Sequence, residues 1–229
     1  MKYTTILFDA DGTLLDFKRS EREALGDCLI ARGITVTEDI TKRYSDINDL
    51  HWKMLERGEI TRSELYVARF EMFFHEYGFE LDPVQMSRDY FVALSTKSYL
   101  IDGAYELCRE LAKDRKLYLI TNGDTRIQHG RFDPSPIAPF FDGRFISEEV
   151  GYSKPELKYF NYVMSHIPNF RSENTVVIGD SLTADIKGGI NAGLDVCWYN
   201  PEFCDTPKDM RINCIAHNYR EILDFIKNN

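Results

Sequence analysis

Two carboxylates stand one residue apart, Asp9 and Asp11, after an apolar run and just before Gly12 and Thr13, in the opening stretch MKYTTILFDADGTLLDF. Close carboxylates repel, so a chain that keeps a pair at the end of a buried strand needs a cation there. Three further stretches put chemistry-bearing residues at the same kind of place. They are Thr121-Asn122-Gly123 after KLYLI, Ser153-Lys154-Pro155 after a later loop, and Gly179-Asp180-Ser181 after NTVVI, with Asp185 five residues beyond Asp180. Carboxylates, a hydroxyl, an amine and glycine-permitted turns suit a phosphate and Mg²⁺. Mg²⁺ takes oxygen ligands in a tight octahedron, so Asp9, Asp180 and the backbone carbonyl of Asp11, with Asp185 bound directly or through water, form the expected metal nest. Lys154 neutralises phosphate oxygens and holds Asp9 ionised, while Thr121 and the amide of Asn122 cradle the phosphate. A carboxylate is also a competent nucleophile toward phosphorus and gives an aspartyl-phosphate.

These residues meet only if the runs before them lie side by side. YTTILF, KLYLIT, GRFIS, NTVVIGD, LDVCWY and the weaker INCIA read as short strands, and helix-like stretches separate several of them. That alternation predicts a Rossmann-like α/β core with a parallel sheet, whose ligands bind beyond the carboxyl ends of the strands. From Phe17 to Ser95 no convincing strand occurs. EREALGDCLIARG, EDITKRYSDINDLHWKMLERG and TRSELYVARFEMFFHEYG are patterned as helices, with Gly33, Gly58 and Gly78 at their ends and a capping box at Thr61 and Glu64. The expected organisation is therefore a core of residues 1–16 and 96–229 with a helical-bundle insert at 17–95. The final YREILDFIKNN reads as a closing helix.

Each of these residues also has a plainer use. An isolated DxD is ordinarily turn chemistry, Asp180 could cap a helix, Lys154 could be a surface lysine, and Asn122-Gly123 could be only a tight turn. Their joint placement after strand-like runs favours the site. In the insert, Trp52, Phe70, Phe73 and Phe74 are expected to pack the bundle, with base stacking the minor alternative. Arg69 and Asn48 are open to either substrate contact or ordinary pairing and capping.

The chain has 229 residues, 43% of them hydrophobic, and a formal charge of −9, which argues against a nucleic-acid polymer or an anionic membrane as the main partner. The five cysteines form no CxxC pair and the five histidines no metal-binding pair, so reduced thiols in a cytoplasmic protein are expected and histidine chemistry is not. No run approaches the roughly 18 apolar residues of a membrane span, and Asp9 interrupts the first apolar run too early for a signal peptide.

In order, the motifs DxDGT, TNG, KP and GDSxxxD resemble those of the haloacid dehalogenase (HAD) superfamily of phosphatases along essentially the whole chain. The resemblance implies Asp9 as nucleophile and Asp11 as the acid that protonates the leaving oxygen and then activates water. It further implies Thr121 and Lys154 as phosphate holders, Asp180 and Asp185 at the metal, and the helical insert as a cap over the site. YSDINDLHWKMLERGEITRSELYVARFE, TNGDTRIQHGRF and ISEEVGYSKPELKYF resemble the bacterial pyrimidine 5′-nucleotidases of this superfamily. Gln128 and Arg131 match that pattern, whereas DPSPIAPFFDGRF departs from its helical, leucine-bearing continuation. The substrate implied is a small phosphomonoester, a pyrimidine nucleotide first, with phosphoglycolate or a sugar phosphate as alternatives; a mutase is the other enzymatic alternative. A dehalogenase would not need the second acid at Asp11. A phospho-acceptor signalling module would be about half this length and would lack an insert after the first strand.

Overall fold

The computed structural model describes residues 2–229. Strand β1 (Thr5–Phe8) is followed by helices α1 (Phe17–Ile30), α2 (Glu38–Glu56), α3 (Arg62–Tyr77), α4 (Pro83–Ser95) and α5 (Ala104–Leu111). Next come β2 (Lys116–Thr121), α6 (Thr125–Phe132), β3 (Gly143–Ile146), α7 (Ser147–Val150), α8 (Leu157–His166) and β4 (Thr175–Gly179). A wide π turn at Leu182–Ile186 leads into α9 (Lys187–Asn191), and β5 (Asp195–Tyr199), β6 (Cys214–Ala216) and α10 (Tyr219–Asn228) complete the chain. All six runs expected as strands form strands. They make one parallel sheet in the order β3-β2-β1-β4-β5-β6, with Leu7 of β1 opposite Tyr118 of β2 on one side and Val177 of β4 on the other.

The sheet is apolar on both faces, which is why its strands read as continuous rather than alternating hydrophobic runs. Ile6, Phe8, Leu119 and Ile178 pack on one face with Leu107, Leu111, Ile222 and Ile226 of α5 and α10. Leu7, Ile120, Val177 and Val196 pack on the other with Tyr159, Phe160 and Val163 of α8. The split follows the two-residue period of a strand. Because β1 lies at the middle, where the strand order reverses direction, the loops after β1, β2 and β4 open at one crevice.

Helices α1 to α4 share a separate core around Leu25, Tyr44, Phe70, Phe73 and Tyr90. The capping box forms as the sequence indicates, and Gly78 ends α3 at φ 67°, a left-handed conformation suited to glycine. Helix α4 was absent from the sequence expectation. Asp82 caps its first amides and Pro83 opens it, a start signal that the helical periodicity around it does not reinforce. The chain leaves for these helices and returns from them along adjacent strands of backbone, with Asp16 N donating to Tyr99 O at 2.9 Å and Ile101 N to Leu14 O at 3.0 Å. No helix among the described residues is long and apolar enough to cross a membrane, and the five cysteines are unpaired.

Candidate active site

Asp9 follows β1 and is nearly buried, with 6% of its surface exposed. Its Oδ1 accepts from Lys154 Nζ at 2.6 Å, while Oδ2 is buried without a partner. The same ammonium donates to Asp185 Oδ1 at 2.6 Å and to the Ile120 carbonyl at 3.0 Å. Asp185 is positioned by the π turn, and its Oδ2 accepts from Ser181 N at 3.1 Å. Asp180 follows β4 and faces open space, with Thr13 Oγ1 at 3.4 Å from its Oδ1. Asp9, Asp180 and Asp185 each present a carboxylate oxygen within 4.8 Å of the others. Side chains on Gly12 or Gly179 would overlap Asp180 or Asp185, so both glycines make room for the acids; Gly12 also has a φ of 83°.

Burial pushes the Asp9 carboxyl well above the carboxylate range, and repulsion from Asp185 and Asp180 adds to the effect despite the opposing Lys154 charge. Asp180 is exposed, yet the crowding of protein around its carboxyl removes much of its water and raises it to about 7, with Asp185 reinforcing the shift and Lys154 opposing it. For Lys154, burial favours the neutral amine, but attraction to Asp185 and Asp9 outweighs it and the ammonium is held above its ordinary value. One lysine thus balances only part of the charge of three acids. The orphaned Asp9 Oδ2 and the all-oxygen, hard donor set fit a small divalent cation.

Asp11 lies on the same cavity, but its carboxylate is separate from that cluster. Arg131 Nη1 donates to Oδ1 at 2.5 Å and Gln128 Nε2 to Oδ2 at 2.8 Å. Gln128 and Arg131 match the resemblance, but the sequence assigned them no work. The available signal was their three-residue spacing on α6, which places both on one helix face. The departing segment after Arg131 takes its prolines into a turn, and Phe132 and Ile137 still reach the core, so the grip on Asp11 is intact. Thr121 ends β2 at the cavity. Asn122 also lies there, but its side chain clasps the Lys154 backbone in both directions at 2.8 Å. It therefore fixes the lysine, a contact not foreseen from the sequence.

The cavity has a volume of about 480 Å³. Asp9, Thr121, Lys154 and Asp185 of the core line it together with Ser45, Asp49, Trp52, Glu56, Tyr66 and Arg69 of the insert. No histidine lines it. Phe70, Phe73 and Phe74 pack the insert's core as expected, whereas Trp52 lies on the cavity wall outside that core. Several contacts join the two sides. Arg62 donates to Gly123 O at 2.6 Å and Ser147 Oγ at 2.7 Å, Thr183 donates to Glu56 at 2.7 Å, and Lys18 pairs with Glu202.

Known proteins resemble this chain along nearly its whole length. Pyrimidine 5′-nucleotidase PynA of Streptococcus pneumoniae is 36% identical over 230 aligned residues, covering 100% of this chain and 97% of PynA. Pyrimidine 5′-nucleotidase YjjG of Escherichia coli is 31% identical over 208 residues, 91% of each chain. The magnesium-bound crystal structure of the HAD-hydrolase YfnB from Bacillus subtilis superposes with a TM-score of 0.94 at 39% identity, over 99% of both chains. The family model for haloacid dehalogenase-like hydrolases matches residues 3–193. With that match running from the first strand through the turn that carries Asp185, the chain belongs to the haloacid dehalogenase-like hydrolases.

Proposed function

We propose that the protein is an Mg²⁺-dependent phosphomonoester hydrolase for pyrimidine nucleoside 5′-monophosphates, with residues 17–95 acting as a cap over a core of 1–16 and 96–229. The observation that carries the chemistry is the triad of acids, in which Lys154 bridges Asp9 and Asp185 and leaves Asp9 Oδ2 without a hydrogen-bond partner. The pyrimidine preference draws on PynA and YjjG, which are pyrimidine 5′-nucleotidases, and on the aromatic and polar wall that the insert contributes.

Asp9, Asp180, Asp185 and the Asp11 carbonyl would hold the metal, which when bound offsets the charge of the acids and of the phosphate. Asp9 attacks phosphorus, and the ester P–O bond breaks as an aspartyl-phosphate forms. Asp11, steadied by Gln128 and Arg131, gives its proton to the departing oxygen. It then takes a proton from the water that cleaves the phospho-enzyme, which releases inorganic phosphate and restores Asp9. Lys154, Thr121 and the backbone amide of Asn122 steady the phosphoryl oxygens through both steps.

The deciding experiment is a phosphomonoester panel assayed with Mg²⁺, after chelation and after readdition. Activity should vanish in the chelator and return with Mg²⁺, and pyrimidine 5′-monophosphates should lead. Full activity in the chelator overturns the metal assignment. A tenfold kcat/KM preference for phosphoglycolate or a hexose phosphate, about 1.4 kcal/mol, overturns the nucleotidase reading and leaves the phosphatase reading standing.

A further inference from the structure

Ser45, Asp49, Trp52 and Glu56 of α2 line the cavity, and their spacing of three or four residues sets them in one stripe along the helix. Ile40, Tyr44 and Ile47, on a different face, pack the bundle core. Glu56 ends the stripe beside the acids, since it accepts from Thr183 Oγ1 at 2.7 Å within the π turn that carries Asp185. Trp52 stands one helical turn back, about 6 Å along the axis. Other rings line the cavity, and each is engaged. Tyr66 meets Phe91 edge-on at 4.5 Å, Tyr199 stacks on Tyr219 at 5.1 Å, and Phe17 has the Arg131 guanidinium at 5.4 Å. Trp198 is buried and donates its Nε1 to Asp180 O at 2.8 Å. Trp52 differs from all of these: among the described residues no ring or cation pairs with it, it makes no hydrogen bond, and it is partly exposed.

We propose that Trp52 is the platform on which the base of the nucleotide stacks; this assignment rests on the nucleotidase reading above. A partly bare indole is a large apolar surface, and a flat ring laid on it removes area from water on both partners without needing a hydrogen bond. The base is the flat part of a nucleoside 5′-monophosphate. The ester oxygen, C5′ and the sugar hold it away from phosphorus, as one turn of α2 holds Trp52 away from the contact beside Asp185. A sugar phosphate or phosphoglycolate offers no such ring. Every base has a π face, so Trp52 favours a nucleotide over a sugar phosphate and leaves the choice among bases to other groups.

The test measures kcat/KM of the full chain with Mg²⁺ on UMP, ribose 5-phosphate and methyl phosphate, for the wild type, Trp52→Leu and Trp52→Phe. Trp52→Leu keeps an apolar side chain but no flat face, and it should lower the value for UMP by about tenfold, within the range of one base-on-ring stack. The values for ribose 5-phosphate and methyl phosphate should not change. Trp52→Phe restores a ring and should recover most of the loss. An equal loss on all three substrates, or no loss on UMP, overturns the proposal. Binding gives a second readout, because the chain has only two tryptophans. With Mg²⁺ and inorganic phosphate present, uridine should quench the wild-type tryptophan fluorescence and ribose should not, and the quench should vanish in Trp52→Phe. If Trp52→Leu does not fold, this titration decides: a quench that survives in Trp52→Phe, or none in the wild type, overturns the proposal. UMP hydrolysed well by the wild type and equally well by Trp52→Leu removes the role of Trp52 alone, whereas ribose 5-phosphate exceeding every nucleotide tenfold in the wild type removes the nucleotidase reading and this inference with it.

Discussion

Asp9 and Asp11 are separated by one residue in sequence and face different partners. Asp9 meets Lys154 and the other acids, while Gln128 and Arg131 hold both oxygens of Asp11. Division of labour between two like side chains follows from these surroundings. Asp9→Asn keeps the shape and removes the nucleophile, so turnover should fall by about 10⁴-fold or more, with an unchanged circular dichroism spectrum. Near-normal turnover would exclude Asp9 as the nucleophile. Asp11→Asn should slow hydrolysis of alkyl phosphates by about 10² to 10⁴. The loss should be smaller on aryl phosphates, whose better leaving group needs less protonation, and parallel rate measurements on both ester types would show it.

At the scale of elements, α1, α2 and α3 meet through a buried polar chain from Glu21 to Asn48 to Arg69. Burial pushes the Glu21 carboxyl up to about 7, against a bond from Ser45 and the Arg69 charge. Between the usual glutamate range and about pH 7 the folded protein holds a proton that the unfolded chain has released. Stability therefore falls as pH rises through that window and levels off above it. We expect a lower melting temperature at pH 8 than at pH 5.5, with about 1–3 kcal/mol from this group. Glu21→Gln should shrink the difference without abolishing it, because Asp180 titrates in the same range. A wild-type melting temperature independent of pH would refute the assignment. Helix α6 works at this scale too, since its Arg131 Nε donates to Lys97 O at 3.2 Å and so ties the grip on Asp11 to the chain returning from the insert.

Across the whole molecule, the insert packs on Ile127 of α6 and reaches the rest of the core through polar links, among which Arg62 is branched to Gly123, Ser147 and Ser153. Hydrogen bonds to a charged group contribute about 1.5–3 kcal/mol. Arg62→Ala should therefore loosen closure and raise KM for nucleotides by about tenfold or more, with a smaller change for methyl phosphate, which leaves the insert wall uncontacted. Steady-state kinetics on the two substrates check this, and equal effects on both would mean that Arg62 acts on the phosphate site itself.

The six strands, the helical stretches between the first two of them and the four short motifs were legible in the sequence because each is local. Apolar runs mark strands buried on both faces, as in TVVIG of β4, and turn and capping residues such as Gly78 and Thr61 mark ends. Helix α4 was missed although Asp82 and Pro83 announce it, since its burial against the other insert helices is set by packing rather than by its own pattern. Which acid meets which partner was decided only by the fold. Lys154 is 145 residues from Asp9 and 31 from Asp185, and Arg131 is 120 from Asp11. No local spacing encodes those distances; the strand order does, by bringing the ends of β1, β2 and β4 to one crevice. The sequence by itself thus determined what kinds of groups the protein carries and what chemistry they permit. Tertiary structure alone decided that Asn122 clasps the lysine, that Trp52 leaves the bundle core for the cavity, and that one edge of Arg69 stays unpaired. Each of these depends on burial and direction, which exist only once distant segments pack.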